Sequence, residues 1–230
     1  MTEQQQPIIT IDGPGGAGKS TLARALAQRL GYLYLDTGAI YRSVALAAQK
    51  TGAGWCDEAA VADVARDMVE RKRLAFVMAG GGQRVMLDDT DVSEAIRSPE
   101  MSAGASTVSA HPKVREALLS LQRGLAEGGG VVVEGRDTGT VVFPQAGVKF
   151  FMTATAEERA RRRFEELKAK GVRVDYEETL EALRERDRRD EERAAAPLRR
   201  ADDAIDLDTT RMNIDEVLAW MLDRIRHGGR

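Results

Sequence analysis

Gly13-Pro-Gly-Gly-Ala-Gly18-Lys19-Ser20 fits the pattern G-x-x-x-x-G-K-[ST] at every fixed position. The run follows a short apolar stretch, Pro7 to Ile11, that ends on Asp12. It opens a helical pattern in which Leu22, Leu26 and Leu30 recur at i, i+4 and i+8 until Gly31 stops them. A strand before the motif and a helix after it make up the context in which it binds phosphate. Glycines let the backbone curl so that successive N–H groups point inward, and the helix start adds a favourable potential for an anion. Lys19 offers a point charge to β- and γ-phosphates, and Ser20 an oxygen to Mg²⁺. The candidate ATP site is therefore Gly13, Pro14, Gly15, Gly16, Ala17, Gly18, Lys19, Ser20 and Thr21.

Downstream of this motif, Tyr32 to Leu35 reads as a second strand, and Asp36 with Thr37 can cap a helix carrying Ile40, Val44 and Ala48. Asp57 opens another helix, striped by Val61, Val64 and Met68, so the first 72 residues read β-α-β-α-α. Leu74, Phe76 and Met78 then alternate with small or polar residues, Gly80-Gly81-Gly82 makes a turn, and Val85 and Leu87 resume the alternation as a β-hairpin. Ser98-Pro99 starts a helix, and Val114, Leu118, Leu121 and Leu125 mark the next one. Val131-Val132-Val133 suits a strand buried on both faces, as does Val148 to Met152. Thr155 with Glu158, and Asp175 with Glu178, read as capping boxes for two charged helices. Ala204 to Leu207 is a last strand, and Asn213 with Glu216 begins a terminal helix through Val217, Trp220 and Met221.

The expected fold class is α/β, a P-loop NTPase-type parallel sheet flanked by helices. One domain spans 1–230, with its core at 1–72, 106–154 and 194–230. A β-rich insertion lies near 73–105 and a helical lid near 155–193. The lid expectation rests on the helix near 184–193, which after Leu180 and Leu183 shows no apolar face until Ala194. From Arg159 to Arg193 there are ten arginines, balanced by thirteen acids from Glu157 to Glu192, so most of these charges read as a solvated, salt-bridged pair of helices.

Composition narrows the function. A chain of 230 residues, 43% hydrophobic, suffices for one α/β core with small insertions. Its 34 basic and 37 acidic residues leave a net charge of −3, without the basic excess expected of a polynucleotide binder. Cys56 is the single cysteine and can make neither an internal disulfide nor a metal site. Met1-Thr-Glu-Gln-Gln-Gln lacks the basic and apolar regions of a secretory signal, and no apolar run approaches a membrane span. The expectation is a soluble cytoplasmic monomer acting on small molecules.

A phosphate loop of this kind serves small-acceptor kinases, regulatory GTPases and motor ATPases alike. The GTPase guanine loop, Asn-Lys-x-Asp, is absent, since the one asparagine is Asn213, followed by Ile214. A motor strand ends in adjacent acids, whereas Val131-Val132-Val133 runs into Glu134-Gly135-Arg136. A small-acceptor kinase instead needs arginines to hold a second anion and to neutralise the transferring phosphoryl. Arg42, one helical turn past a strand end, and Arg136, directly at one, lie where α/β sheets bind ligands.

Several further blocks resemble one family, the bacterial cytidylate (CMP/dCMP) kinases. They are Ile9-Thr-Ile-Asp-Gly-Pro, Leu35-Asp-Thr-Gly-Ala-Ile-Tyr-Arg42, Val114-Arg-Glu-Ala-Leu118, Glu134-Gly-Arg-Asp-Thr-Gly-Thr-Val-Val-Phe-Pro144, and Glu185-Arg-Asp-Arg-Arg-Asp190 through Ala196-Pro-Leu198. The resemblance covers essentially the whole chain, in the family's order and spacing. It implies a nucleoside monophosphate kinase that moves the γ-phosphoryl of ATP, with Mg²⁺, onto CMP or dCMP. It further implies that Thr37, Arg42 and Arg136 hold the acceptor phosphate, and that Ser106, Arg115 and Asp137 read the cytosine. By the same resemblance Arg186, Asp190 and Arg193 contact the acceptor, and Arg159 and Arg162 approach the ATP phosphates. Lys19, Arg136, Arg162 and Arg186 are then the candidate catalytic residues. Many family members have glycine where this chain has Ser20, so a Ser20–Mg²⁺ contact follows from the general motif instead.

Overall fold

The computed structural model describes residues 6–79 and 82–227. They form β1 (Ile8–Asp12), α1 (Lys19–Leu30), β2 (Leu33–Asp36), α2 (Thr37–Thr51), α3 (Glu58–Glu70), β3 (Leu74–Ala79), β4 (Gly82–Leu87) and β5 (Thr90–Asp91). There follow α4 (Pro99–Val108), α5 (Pro112–Gly124), β6 (Val131–Gly135), β7 (Val148–Thr153), α6 (Ala156–Ala169), α7 (Tyr176–Glu192), β8 (Ile205–Asp208) and α8 (Ile214–Arg226). The chain divides into two compact units, one of residues up to 35 together with those from 128 on, the other of residues 36–127.

The first unit is built on a five-stranded sheet in the order β2-β6-β1-β7-β8. β1 pairs in parallel with both β6 and β7, and β7 with β8. A strand flanked on both sides and covered on both faces is largely apolar, and all five residues of β6 are buried, with Glu134 the one charged residue among them. Leu22 and Leu26 of α1 pack with Ile9, Ile11, Phe150 and Met152 of the strands, and Val217 and Met221 of α8 join the same core. Each such large side chain contributes roughly 1.5–3 kcal/mol over staying exposed. Because the paired strands run the same way, their carboxyl ends share one edge of the sheet, which is where the phosphate motif leaves β1.

Asp36 caps α2 in the second unit, its Oδ1 accepting the Ala39 N–H at 3.0 Å. The expected stripe of Ile40, Val44 and Ala48 is fully buried. β3 and β4 pair antiparallel from Leu74 opposite Leu87 to Ala79 opposite Gly82, and β5 adds a third strand. Two glycines of the expected Gly80-Gly81-Gly82 turn, Gly80 and Gly81, lie outside the described residues, as does Met1 to Gln5. On the hairpin's expected apolar face Leu74 is buried, but Met78 is 69% exposed, so only the hairpin's base is core. The Trp55 indole donates to the Ala45 carbonyl and lies against Gly104, where an added Cβ would come within 2.8 Å of the ring.

Two local expectations are corrected. Thr155 does accept the Glu158 N–H, but its own N–H goes to Thr210 Oγ1 and the Glu158 carboxylate is taken by Arg161 and Arg162, so the box is half made. The second correction concerns α7. The helix does have an inward stripe, Leu180, Leu183, Asp187 and Asp190, at i, i+3, i+7 and i+10. Its second half is made of carboxylates that meet arginines instead of methyl groups. Sequence periodicity counts only apolar residues, so a face built from ion pairs was scored as no face.

Candidate active site

Backbone geometry comes first. Gly13, Gly16 and Gly18 have φ of 148°, 75° and 93°, conformations costly for residues with a Cβ. At Gly13 a Cβ would also stand 1.9 Å from the Met152 carbonyl oxygen. The loop's carbonyls are held from outside. Arg159 Nη1 donates to the Gly15 oxygen at 3.0 Å, and Arg162 Nη1 to the Ala17 oxygen at 3.3 Å. A trans peptide points its N–H opposite its C=O, so these two bonds also fix the N–H groups of Gly16 and Gly18. Lys19 Nζ rests on the Pro14 carbonyl at 2.6 Å.

Three cations meet at the loop. An added Cβ on Gly15 would lie 3.6 Å from Arg136 Nη2 and 3.8 Å from Arg186 Cδ, so both side chains cross its face. Burial, with Arg136 and Arg186 close by, holds the Lys19 ammonium well below the ordinary lysine range. An anion at this point would relieve the repulsion.

Arg136 leaves β6 and bonds its Nε to Asp190 Oδ2 at 2.8 Å, while Arg186 Nε stands 4.0 Å from the same oxygen. Burial alone would raise the Asp190 carboxyl, but Arg136 and Arg186 outweigh it and hold the group below the usual carboxylate range. Asp137 pairs with Arg193 at 3.1 Å, and Arg193 Nε donates to the Ala196 carbonyl at 2.6 Å. Two adjacent residues just past β6 are thus paired to Asp190 in the last turn of α7 and to Arg193 directly after it, with Leu198 N bonded to the Asp190 carbonyl.

Arg159 and Arg162 lie beside the loop, and both are already engaged. Arg159 bonds Ala154 O at 2.9 Å, Gly15 O, and Asp187 at 2.6 Å, while Arg162 also bonds Thr209 O at 2.7 Å. Their present partners are loop carbonyls and acids, so in this state they shape the loop's backbone.

Glu134 is the residue that sequence reasoning passed over. It lies one residue before the end of β6 at 4% exposure, accepts the Ser20 hydroxyl at 2.9 Å on one oxygen, and takes the Tyr34 hydroxyl on the other. The signal was present in the strand Val131-Val132-Val133 running into an acid, but it was weighed only against motors with paired acids. Mg²⁺ prefers oxygen ligands, few of them from protein, with phosphates completing the shell. A hydroxyl and a carboxylate beside the first helical turn fit that requirement.

Thr37, Arg42, Ser106 and Arg115 belong to the second unit. Arg42 pairs with Asp36 at 2.7 Å, and Arg115 donates to the Ser109 carbonyl at 3.1 Å with its guanidinium 5.4 Å from the centre of the Tyr41 ring. Thr37 is buried in the first turn of α2. Among the described residues Arg42 Nε and Ser106 Oγ are buried without a hydrogen-bond partner, a costly state that a bound ligand would relieve.

Comparison with known proteins agrees with this chemistry. A family model described as cytidylate kinase matches residues 9–227. A cytidylate kinase of Syntrophotalea carbinolica is 55% identical over 95% of this chain and 91% of its own length. One of Geobacter sulfurreducens is 51% identical over 97% and 94%, and one of Pseudomonas aeruginosa 51% over 96% and 94%. A solved structure of an uncharacterised Eubacterium ventriosum protein shares the fold at a TM-score of 0.51 and 11% identity, covering 96% of this chain and 99% of that one. Matched along nearly its whole length, the chain belongs to the cytidylate kinase family.

Proposed function

We propose that the protein transfers the γ-phosphoryl of ATP to CMP or dCMP, giving CDP or dCDP. The observation that carries this reading is the meeting of Lys19, Arg136 and Arg186 over the open face of the phosphate loop. Such a cluster suits two phosphate groups brought end to end. ATP lies with its β- and γ-phosphates in the curl of Gly13–Thr21, and Lys19 leaves the Pro14 carbonyl for the phosphate oxygens. The acceptor phosphate is held by Arg136 and Arg186, with Thr37 and Arg42 as further ligands.

An oxygen of that phosphate attacks the γ-phosphorus in line, the bond to the bridging oxygen breaks, and ADP leaves. The acceptor's second ionisation lies near pH 6, so the attacking oxygen is already charged and no general base is required. Catalysis is then positioning and charge neutralisation. Ser20 and Glu134 would hold Mg²⁺, which would supply neutralisation of phosphate charge. Asp137, Ser106 and Arg115 read the base. An ionised carboxylate accepts hydrogen bonds but donates none, so Asp137 favours the 4-amino group of cytosine over the 4-carbonyl of uracil.

No helix of the described residues is long and apolar enough to cross a membrane. We take the enzyme to act as a cytoplasmic monomer. A coupled ADP-release assay across CMP, dCMP, UMP, AMP and GMP tests the reading. CMP and dCMP should be turned over well ahead of the rest. A preference for UMP, or ATP hydrolysis indifferent to any acceptor, would overturn it.

A further inference from the structure

Asp12 ends β1 immediately before the phosphate loop, and its side chain is engaged by Thr138 and Gly139, while its charge also reaches Lys19. The carboxylate is 4% exposed and accepts three hydrogen bonds. Oδ1 takes the Thr138 N–H and the Thr138 hydroxyl, both at 2.8 Å, and Oδ2 takes the Gly139 N–H at 2.7 Å. Thr138 and Gly139 open a π-type turn, Thr138–Val142, in which the Val142 N–H bonds back to the Asp137 carbonyl at 3.2 Å and the Phe143 N–H to the Thr138 carbonyl at 2.7 Å. Wide turns of this kind are rare and cluster at functional sites. This one follows immediately on Arg136 and Asp137.

Gly139 shows how close the approach is. A Cβ there would stand 2.9 Å from Thr10 Oγ1 and 3.3 Å from Asp12 Oδ2. The charge itself is costly, since burial, helped by the neighbouring Asp137, pushes the Asp12 carboxyl up despite its three donors. A side chain needed only to fill this space would not have to be ionised. Its retention makes sense if both oxygens are needed, one for each of two successive backbone N–H groups, because an amide of the same shape turns a donor toward one of them.

We propose that Asp12 is a positioning residue that locks the Arg136–Asp137 strand end in place against the start of the phosphate loop, so that its loss falls on the acceptor rather than on ATP. The proposal rests on the kinase reading above. In Asp12→Asn, kcat/KM for CMP should fall about tenfold to a hundredfold, while ATP affinity measured by calorimetry stays within about twofold. Amide hydrogen exchange at Thr138 and Gly139 should accelerate in the same variant, a readout independent of turnover. If wild type ignores CMP, the kinase reading fails while the exchange result still judges the turn. Equal losses for ATP and CMP, or unchanged exchange at both amides, would overturn the role of Asp12. Thr138→Val keeps Asp12 and both backbone donors and removes one hydroxyl. Should Asp12→Asn not fold, Thr138→Val must show the same CMP-selective loss in smaller measure, and its absence would equally overturn the proposal.

Discussion

The loop at Gly13–Ser20 takes its shape from eight consecutive residues, whereas the charge lattice beside it joins residues 54 and 56 positions apart, Arg136 to Asp190 and Asp137 to Arg193. The loop tolerates its strained glycines because a strand fixes one end and a helix the other, so backbone conformation does the work. The lattice uses ordinary backbone and relies on side chains that satisfy one another in a poorly hydrated place. Failure should differ accordingly. A loop residue can be lost with the fold intact, while an arginine or carboxylate removed from the lattice leaves a buried charge less well compensated.

Lys19→Met should give the largest effect. Charge-neutralising groups in phosphoryl transfer are worth about 10³–10⁵ in rate, and turnover should fall by that much in single-turnover assays. Because burial and the nearby Arg136 and Arg186 already disfavour the ammonium, the variant should melt no lower than wild type. Retention of a tenth of the rate would break the assignment of the loop.

Asp190→Asn probes the lattice. Breaking a buried pair costs about 3–5 kcal/mol, so both stability and CMP turnover should drop, in contrast to Lys19→Met. The Asp190 carboxyl is held below its ordinary value, so its stabilisation is full above the unfolded pKa near 3.9 and is lost as pH falls through the lower folded value. Denaturant melts across that acid window should show a shallower dependence in the variant. An unchanged slope would mean that Asp190 does not stabilise through its charge.

Asp137→Ala should have the smallest effect and the most specific one. Losing a buried hydrogen-bond partner costs about 1–3 kcal/mol, so kcat/KM for CMP should fall by roughly 5–150-fold with ATP affinity nearly unchanged. Asp137 pairs with Arg193, which makes the competing explanation concrete. If Asp137 only holds Arg193, CMP and UMP will suffer alike. If it reads the base, the CMP-over-UMP ratio will shrink.

The same contrast explains what could be read from the sequence. The phosphate loop, its flanking strand and helix, and the caps at Asp36, Ser98 and Asn213 are local, and each appears where the sequence placed it. Arg136 was legible because it ends a run of apolar residues. Ser106 and Arg115 came from resemblance alone, since a serine and an arginine on helices carry no local signature. Asp12 and Glu134 were missed because each is a single acid whose partners, Thr138 with Gly139 and Ser20 with Tyr34, lie a hundred or more positions away. The inward face of α7 was missed because Asp187 and Asp190 occupy positions where periodicity expects leucine.

Arg159 and Arg162, in the first turns of α6, hold the Gly15 and Ala17 carbonyls. The placement of that helix and the curl of the loop are therefore one equilibrium rather than two. Reciprocity then applies, and whatever free energy a bound nucleotide gains from the well-formed curl is returned as added order at the root of α6. Helix and nucleotide are in this sense each other's effectors, with two guanidinium groups as the physical link between them.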